Sequence, residues 1–315
     1  MNEFELIDHF FKQPAYRASL GIGDDAAVFK PSPGHEMVVT VDAFFESSHF
    51  LPHTDAKAVG HKALAVNLSD LAAMGATPRY VLLALVLPQV DETWLKGFAD
   101  GLFALASRFA VELIGGDTIR GPLGVCITAM GEVPEKKSLL RQGAKVGDEI
   151  WVSGTLGDAR LALAHRRGEM KLSPEWAIVC QQKIDYPEPR VLLGQNLLDV
   201  AHAAIDISDG FLADLHHILK ASGVGATIDL ARVPQSEALK AYPDWFEKAA
   251  LSGGDDYELL FTAPLQQHRA IEQLATDLGL RLTAVGQIIP QGVFFLHAPP
   301  GFVPSRGFDH FAQSS

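Results

Sequence analysis

Basic residues are scarce in this chain: 26 lysines and arginines stand against 38 aspartates and glutamates, a net charge of −12. That balance excludes a protein built to grip a nucleic-acid backbone. Cysteines are scarcer still. Cys126 and Cys180 are the only two, with no CxxC spacing, so neither a disulfide framework nor a zinc site is indicated. The longest conspicuous apolar run, residues 80–87, is far too short to span a bilayer. The opening Met1-Asn2-Glu3-Phe4-Glu5 is acidic and lacks the basic start of a secretory signal. A soluble, cytoplasmic protein with no membrane partner is the expectation. The usual nucleotide signatures are missing too. There is no GxxxxGK[ST], and Gly21-Ile22-Gly23 is not continued as GxGxxG. No kinase-type catalytic loop, HExxH, or Ser-His-Asp or Cys-His arrangement stands out. His216 and His217 are adjacent within a helical stretch, where neighbours diverge by about 100°, which suits surface and groove packing better than a metal.

The chain has 315 residues, nearly half of them apolar, enough for two domains with packed cores. Residues 37–42 read as a buried strand ending at Asp42, with further strands at 80–87 and 124–133. Helices are predicted over about 55–74, capped by Thr54 or Asp55 and stopped by Gly75, and over about 92–109. Alternating strands and helices make an α/β domain over residues 1–137. Residues 135–148, rich in Lys, Arg and Gly, form the connection. A second α/β domain follows over 138–315. Strands are expected at 149–153, 203–207, 226–230, 257–263, 282–287 and 293–297. Helices are expected at 157–167, 173–184, 189–202, 210–221 and 266–279. Residues 304–315 read as a loop returning to the body.

The placement of aspartates carries the chemistry. Asp24 and Asp25 lie in Gly21-Ile22-Gly23-Asp24-Asp25-Ala26, and Asp42 ends Thr40-Val41-Asp42. Asp117 follows Gly115-Gly116, Asp206 and Asp209 flank Ile207-Ser208, and Asp255 and Asp256 follow Gly253-Gly254. Asp beside Gly suits tight turns, and Ser208 or Asp209 is placed to cap the next helix. Many of these positions also sit where apolar strands end, the usual place for ligands in α/β folds. Asp70 is the sharpest case. Helical spacing puts it on one face with Val59, Ala63, Val66 and Met74, and an isolated carboxylate there is costly. A buried ion pair and a metal ligand explain it equally well. Magnesium prefers a few carboxylates with water and phosphate oxygens. Several aspartates on one crevice would hold several ions and turn an acidic pocket into a phosphate site.

Taken together, these segments resemble the thiamine-monophosphate kinase family, in the superfamily that includes aminoimidazole ribonucleotide synthetase. The matching pieces are Gly21 to Ala26, Thr40-Val41-Asp42, His49-Phe50, residues 62–75, Gly115-Gly116-Asp117-Thr118, Arg141-Gln142-Gly143-Ala144, residues 205–210, residues 252–260 and Gly307-Phe308-Asp309-His310-Phe311. Asn67-Leu68-Ser69-Asp70-Leu71-Ala72-Ala73-Met74-Gly75 is the most specific of them. The resemblance implies the two-domain aminoimidazole ribonucleotide synthetase-like fold, α/β (α+β), with the first domain pairing in a homodimer and the second covering the active-site crevice. It implies a magnesium site of Asp25, Thr40, Asp42, Asp70, Asp117, Asp206 and Asp209, with the Val41 backbone contributing. It implies ATP contacts at Gly116, Asp117, Arg141 and Ser208, and substrate contacts at His49, Asp255 and Phe308. Many relatives are expected to carry Glu at the Asp255 position and Tyr or Trp at that of Phe308.

The activity so implied is direct in-line transfer of the γ-phosphoryl group of ATP to thiamine monophosphate, assisted by several magnesium ions. No residue needs to act as a strong base, since a phosphate monoester is already largely ionised at neutral pH, its second pKa lying near ~6. Arg141 suits a nucleotide phosphate, or is a surface arginine. His49 would donate to the substrate phosphate, or is structural. Phe308 would stack on the cationic thiazolium ring, or plugs the core. The rivals are other ATP-dependent members of the superfamily and a non-catalytic magnesium-nucleotide-binding dimer. Selenophosphate synthetase uses a reactive Cys or selenocysteine near its N-terminus, whereas no Cys precedes position 126 here.

Overall fold

The computed structural model describes residues 2–299 and 301–303. Contacts divide the chain into two units, Met1–Leu71 with Ala76–Ser138, and Ala72–Gly75 with Leu139–Ser315. The division after Ser138 lies one residue from the boundary expected from composition. Among the described residues, no helix is long and apolar enough to cross a membrane.

In the first unit, α1 (Glu3–Leu6) runs into a π-helical turn, Ile7–Phe11. The chain then forms β1 (His35–Phe45), α2 (Ala56–Ala73), β2 (Thr77–Leu87), α3 (Glu92–Arg108), β3 (Glu112–Arg120) and β4 (Gly124–Pro134). The sheet order is β1-β4-β2-β3, with β2 and β3 parallel and the other pairs antiparallel. β1 is an edge strand and shows the period of two expected there. Thr40, Asp42 and Phe44 alternate with Val39, Val41 and Phe45, and Val39 and Val41 are 60% and 59% exposed.

β3 departs from the sequence reading. Gly115-Gly116-Asp117 looks like a turn, yet all three residues lie inside this strand. Gly116 adopts φ +149°, and a Cβ there would meet the Leu83 carbonyl at 1.8 Å. Glycine thus lets β3 lie against β2 where any side chain would force it off.

α2 departs in a second way. Helical spacing places Val59, Ala63, Val66, Asp70 and Met74 on one face, but the helix is buried nearly all round. Ala58, Val59, Leu64, Leu68 and Leu71 are buried, and so are Lys62, Asn67 and Ser69. Such a helix belongs to the interior, not the surface. It crosses α3 closely, because a Cβ on Gly60 would stand 2.0 Å from the Phe98 carbonyl and one on Gly101 2.0 Å from the Lys57 carbonyl.

The second unit contains β5 (Glu149–Ser153), α4 (Asp158–Arg166), α5 (Pro174–Asp185), α6 (Val191–Asn196), β6 (Ala203–Asp206), α7 (Phe211–Ser222), β7 (Gly225–Asp229), α8 (Glu237–Lys240), β8 (Leu259–Ala263), α9 (His268–Leu278), β9 (Leu282–Ile289) and β10 (Val293–Leu296). The six strands lie in the order β10-β7-β9-β5-β8-β6, antiparallel except for β10 with β7. Ile150, Val152, Phe211, Leu215, Ile228 and Leu260 lie in its core. Residues 189–202, expected as one helix, form only α6. Arg190 is held outside it by an ion pair to the buried Glu258, and the Leu197 carbonyl closes turns to Val200 and Ala201.

The α2–α3 crossing is testable. Gly60→Ala and Gly101→Ala should each lower stability by about 1–3 kcal/mol through overpacking. Chemical denaturation of the two variants checks this, and an unchanged midpoint would mean the helices are not in such close contact.

Candidate functional site

In the first unit, β1 and α2 bring Thr40, Asp42 and Asp70 together. The Thr40 hydroxyl donates to Asp70 Oδ2 at 2.5 Å. Two residues along β1, on the same strand face, Asp42 is half-buried, and burial followed by the charge of Asp70 pushes its carboxyl up to about 6. Two carboxylates and a hydroxyl form an all-oxygen donor set that suits magnesium. Among the described residues, no three His, Cys, Asp or Glu side chains form a ready-made metal cage. Magnesium seldom needs one, since one or two carboxylates with water and phosphate oxygens commonly suffice. The residues therefore fit an ion that arrives with its phosphates.

The other candidates of this unit lie apart from that pair. Asp42 faces Ile127, Ile127 faces Leu83, and Leu83 faces Gly116, so Asp42 and Gly116 share one rung at opposite edges of the sheet. Three strand spacings along the sheet amount to roughly 14 Å. That spacing suits separate cations better than a shared one. Asp117 is exposed, with its carboxylate accepting the Thr118 amide at 2.8 Å. Asp25 is exposed near the tip of a small hairpin closed by Leu20 and Val28, and its amide donates to Asp24 Oδ1 at 2.9 Å. The Val41 side chain points to the exposed side of β1. His49 Nδ1 accepts the Phe45 amide at 3.1 Å, and its ring lies 5.6 Å from that of Phe44. Lys62, given no role by the sequence reading, is 4% exposed with Nζ 5.8 Å from the Phe44 ring centroid. A lysine inside an otherwise apolar helix was the signal for it.

In the second unit, candidates gather around the start of α7. Asp206 is buried at the end of β6, while Ser208 and Asp209 are half-exposed just beyond it. Neither Ser208 nor Asp209 caps α7, as the sequence suggested. The N-cap is Gly210, without a side-chain hydrogen bond. The amides of 208, 209 and 210 are instead taken by Asp214, a residue the sequence reading passed over. Burial, then the charge of Asp209, pushes the Asp214 carboxyl up to about 7, against the opposing effect of those amides. Residues 252–256 lie alongside. The Asp255 amide donates to the Ser208 carbonyl at 2.9 Å, and the Tyr257 hydroxyl donates to Asp255 Oδ1 at 3.0 Å. Asp255 and Tyr257 both adopt positive φ, +70° and +50°, the kind of strain that collects at functional sites. Asp256 is turned inward, accepting the Gly157 amide at 2.9 Å. Arg141 belongs to the same neighbourhood. Ser222 Oγ, at the end of α7, accepts the Gly143 and Ala144 amides, each at 3.1 Å. Burial, then the charge of Arg141, lowers His217 against the pull of Asp209. Phe308 lies outside the described residues.

The Asp42–Asp70 pair makes a signed prediction. Asp42 titrates near 4 when unfolded and near 6 when folded without a cation, so the folded state holds the extra proton between those values. Stability should therefore fall as pH rises from about 4 to about 6, then level off. Asp42→Asn should remove that loss, so its melting temperature in EDTA should exceed that of the parent protein by more at pH 7 than at pH 4. A constant difference across this range would show that Asp42 carries no raised pKa.

Comparisons with known proteins show the family. Residues 23–133 match the family described as "AIR synthase related protein, N-terminal domain", and residues 145–298 match its C-terminal domain. The chain is 43% identical to the thiamine-monophosphate kinase of Salmonella typhimurium over 98% of both chains, and 35% identical to that of Bacillus subtilis over 91% of both. Among solved structures it is similar to the thiamine-monophosphate kinase of Stenotrophomonas maltophilia K279a, with a TM-score of 0.83 at 47% identity over 89% of this chain and 91% of that one. It is also similar to AaThiL complexed with AMPPCP and TMP, with a TM-score of 0.78 at 32% identity over 93% of each chain. An acidic chain without a P-loop, with paired carboxylates on β1 and α2 and this full-length similarity, belongs to the thiamine-monophosphate kinase family of AIR synthase-related proteins.

Proposed function

We propose that this protein transfers the γ-phosphoryl group of ATP to the phosphate of thiamine monophosphate, giving thiamine diphosphate and ADP, with magnesium as the required cation. The observation that carries the reading is the grouping of Thr40, Asp42 and Asp70: Thr40 bonds Asp70, and the charge of Asp70 adds to burial in raising Asp42. A cation seated against such a pair of carboxylates offsets the repulsion and favours its ionised form. The names of the relatives and the nucleotide analogue bound to AaThiL support ATP and thiamine monophosphate as the reactants.

The chain's own residues then have simple roles. Asp42 and Asp70 present hard oxygens with the Thr40 hydroxyl as a third, and Asp25, Asp117, Asp206, Asp209 and the Val41 backbone complete the cation ligands. Gly116, Ser208 and Arg141 contact the nucleotide, with the planar guanidinium of Arg141 matching phosphate oxygens. Asp255, oriented by the Tyr257 hydroxyl, contacts the thiamine substrate together with His49 and Phe308. Bound magnesium screens the repulsion between two polyanions and polarises the phosphoryl oxygens. No base has to remove a proton, because the acceptor phosphate is already ionised. Orientation and charge neutralisation supply the acceleration. The exposed Val39 and Val41 on the edge strand β1 support a homodimer formed through the first unit. We assign the protein to the cytoplasm.

The assay is direct. Protein, ATP, magnesium and thiamine monophosphate should yield thiamine diphosphate and ADP in equal amounts by chromatography, and EDTA should stop the reaction. Asp70→Asn should fold normally and lose turnover by at least ~100-fold. Absence of thiamine diphosphate, or faster ATP consumption with free thiamine or a purine-pathway intermediate, would refute the assignment. Near-normal turnover of Asp70→Asn at saturating magnesium would remove Asp70 from the cation site.

A further inference from the structure

Successive backbone N–H groups in a turn form a concavity that binds anions, and many nucleotide-binding proteins place phosphate there. Residues 208–210, just ahead of α7, have this feature, but the concavity is already filled from inside the protein. The amides of Ser208, Asp209 and Gly210 each donate to the same oxygen, Oδ2 of Asp214, at 3.1 Å. Asp214 is 2% exposed and sits one turn into α7, where its own amide donates to the Gly210 carbonyl at 3.0 Å.

Other backbone groups around the loop are occupied as well. The Ile207 amide donates to the Glu258 carbonyl, and the Ile207 and Ser208 carbonyls accept the amides of Tyr257 and Asp255. Gly210, at φ +120°, leaves no room for a side chain, since a Cβ would lie 2.8 Å from the Ser252 carbonyl carbon. Ser208 and Asp209 are the half-exposed residues of the loop, while Ile207 and Gly210 are buried.

We propose that Asp214 is a positioning residue that sets the polarity of this loop: by drawing three amides inward onto one buried carboxylate oxygen, it converts an anion-binding turn into a surface that binds a cation. Phosphate is then held at this loop through a divalent ion taken by Asp209, not by backbone amides. The acidic chain and its lack of a P-loop follow the same logic. The inference rests on the reading above, in which Asp206 and Asp209 take the magnesium that accompanies ATP. Asp214 touches neither reactant and acts through the loop.

The test compares the full-length protein with Asp214→Ala and Asp214→Asn. Two readouts are used: calorimetric titration of magnesium in the presence of a β,γ-methylene ATP analogue, and steady-state kinetics. Losing a group that orients a metal ligand weakens the metal by ~10–100-fold. Asp214→Ala should therefore bind magnesium at least ~10-fold more weakly and raise the KM for ATP in parallel, while the KM for thiamine monophosphate stays within about 2-fold. Asp214→Asn keeps an oxygen acceptor for the amides and should recover magnesium binding to within about 3-fold of the parent protein. A purely structural role would lower the fraction of active protein without moving any of these constants, and that result overturns the proposal. So does magnesium affinity equal to the parent's in Asp214→Ala. If Asp214→Ala does not fold, Asp214→Glu, which retains the charge but displaces the oxygen, should show the same selective weakening, and unchanged constants there overturn the proposal too. Failure of the underlying reading is distinguishable. The parent protein would then make no thiamine diphosphate, while the titration still reports whether Asp214 governs magnesium binding at this loop.

Discussion

Repulsion between carboxylates that the fold forces close is the constraint on which this protein turns. Asp42 and Asp70 arrive from different elements, a strand and a helix; the Thr40 hydroxyl bonds Asp70, and the charge of Asp70 adds to burial in raising the Asp42 carboxyl. Below about pH 6 Asp42 keeps a proton, because burial and then the charge of Asp70 both disfavour its ionised form. On the proposed function a divalent cation would take the place of that proton, and phosphates would enter as the counter-charge of bound ions, so that a net negative chain needs no basic groove.

Holding such a pair requires rigid support, and α2 provides it. The helix is enclosed on every side and locked against α3 where two glycines let the backbones touch. Asp70 therefore cannot swing away from Asp42 by tilting its helix without opening a core packed nearly as densely as a crystal. The second unit reaches a similar result by other means. There a short loop is immobilised by hydrogen bonds from both flanks, and its half-exposed acidic side chain has little freedom to retreat.

How much of this could be seen in the residues alone depends on the range of the interaction. Asp42 and Asp70 were legible because each broke a local pattern, a carboxylate at the end of an apolar run and a carboxylate in an apolar helix, whereas Thr40 was picked out only by the family resemblance. The two-unit organisation and nearly all strands followed from the rhythm of apolar runs. β3 did not, because its glycines mimic a turn, and only pairing with β2 shows that Gly116 serves close approach. The absence of a polar face on α2 was hidden as well, since helical spacing reports which residues share a side but not what covers the others. Asp214 was invisible for a related reason. In sequence it is an ordinary helix residue, and its partners, three amides in the preceding loop, carry no side-chain signature. Backbone hydrogen bonds of this kind are decided by conformation, which a list of residue types does not contain.

The alternation along β1 has a further consequence. Thr40 and Asp42 occupy one side of the strand, while Val39 and Val41 occupy the other as an uncovered greasy row. Because strand side chains alternate with a period of two, slipping the strand by a single position would exchange the rows. An insertion or deletion within β1 would put the aliphatic row on the side now held by Thr40 and Asp42 and turn Asp42 outward in the same stroke. The two faces of this strand are thus coupled: a change of length in β1 disturbs both at once, whereas a change of residue type need not.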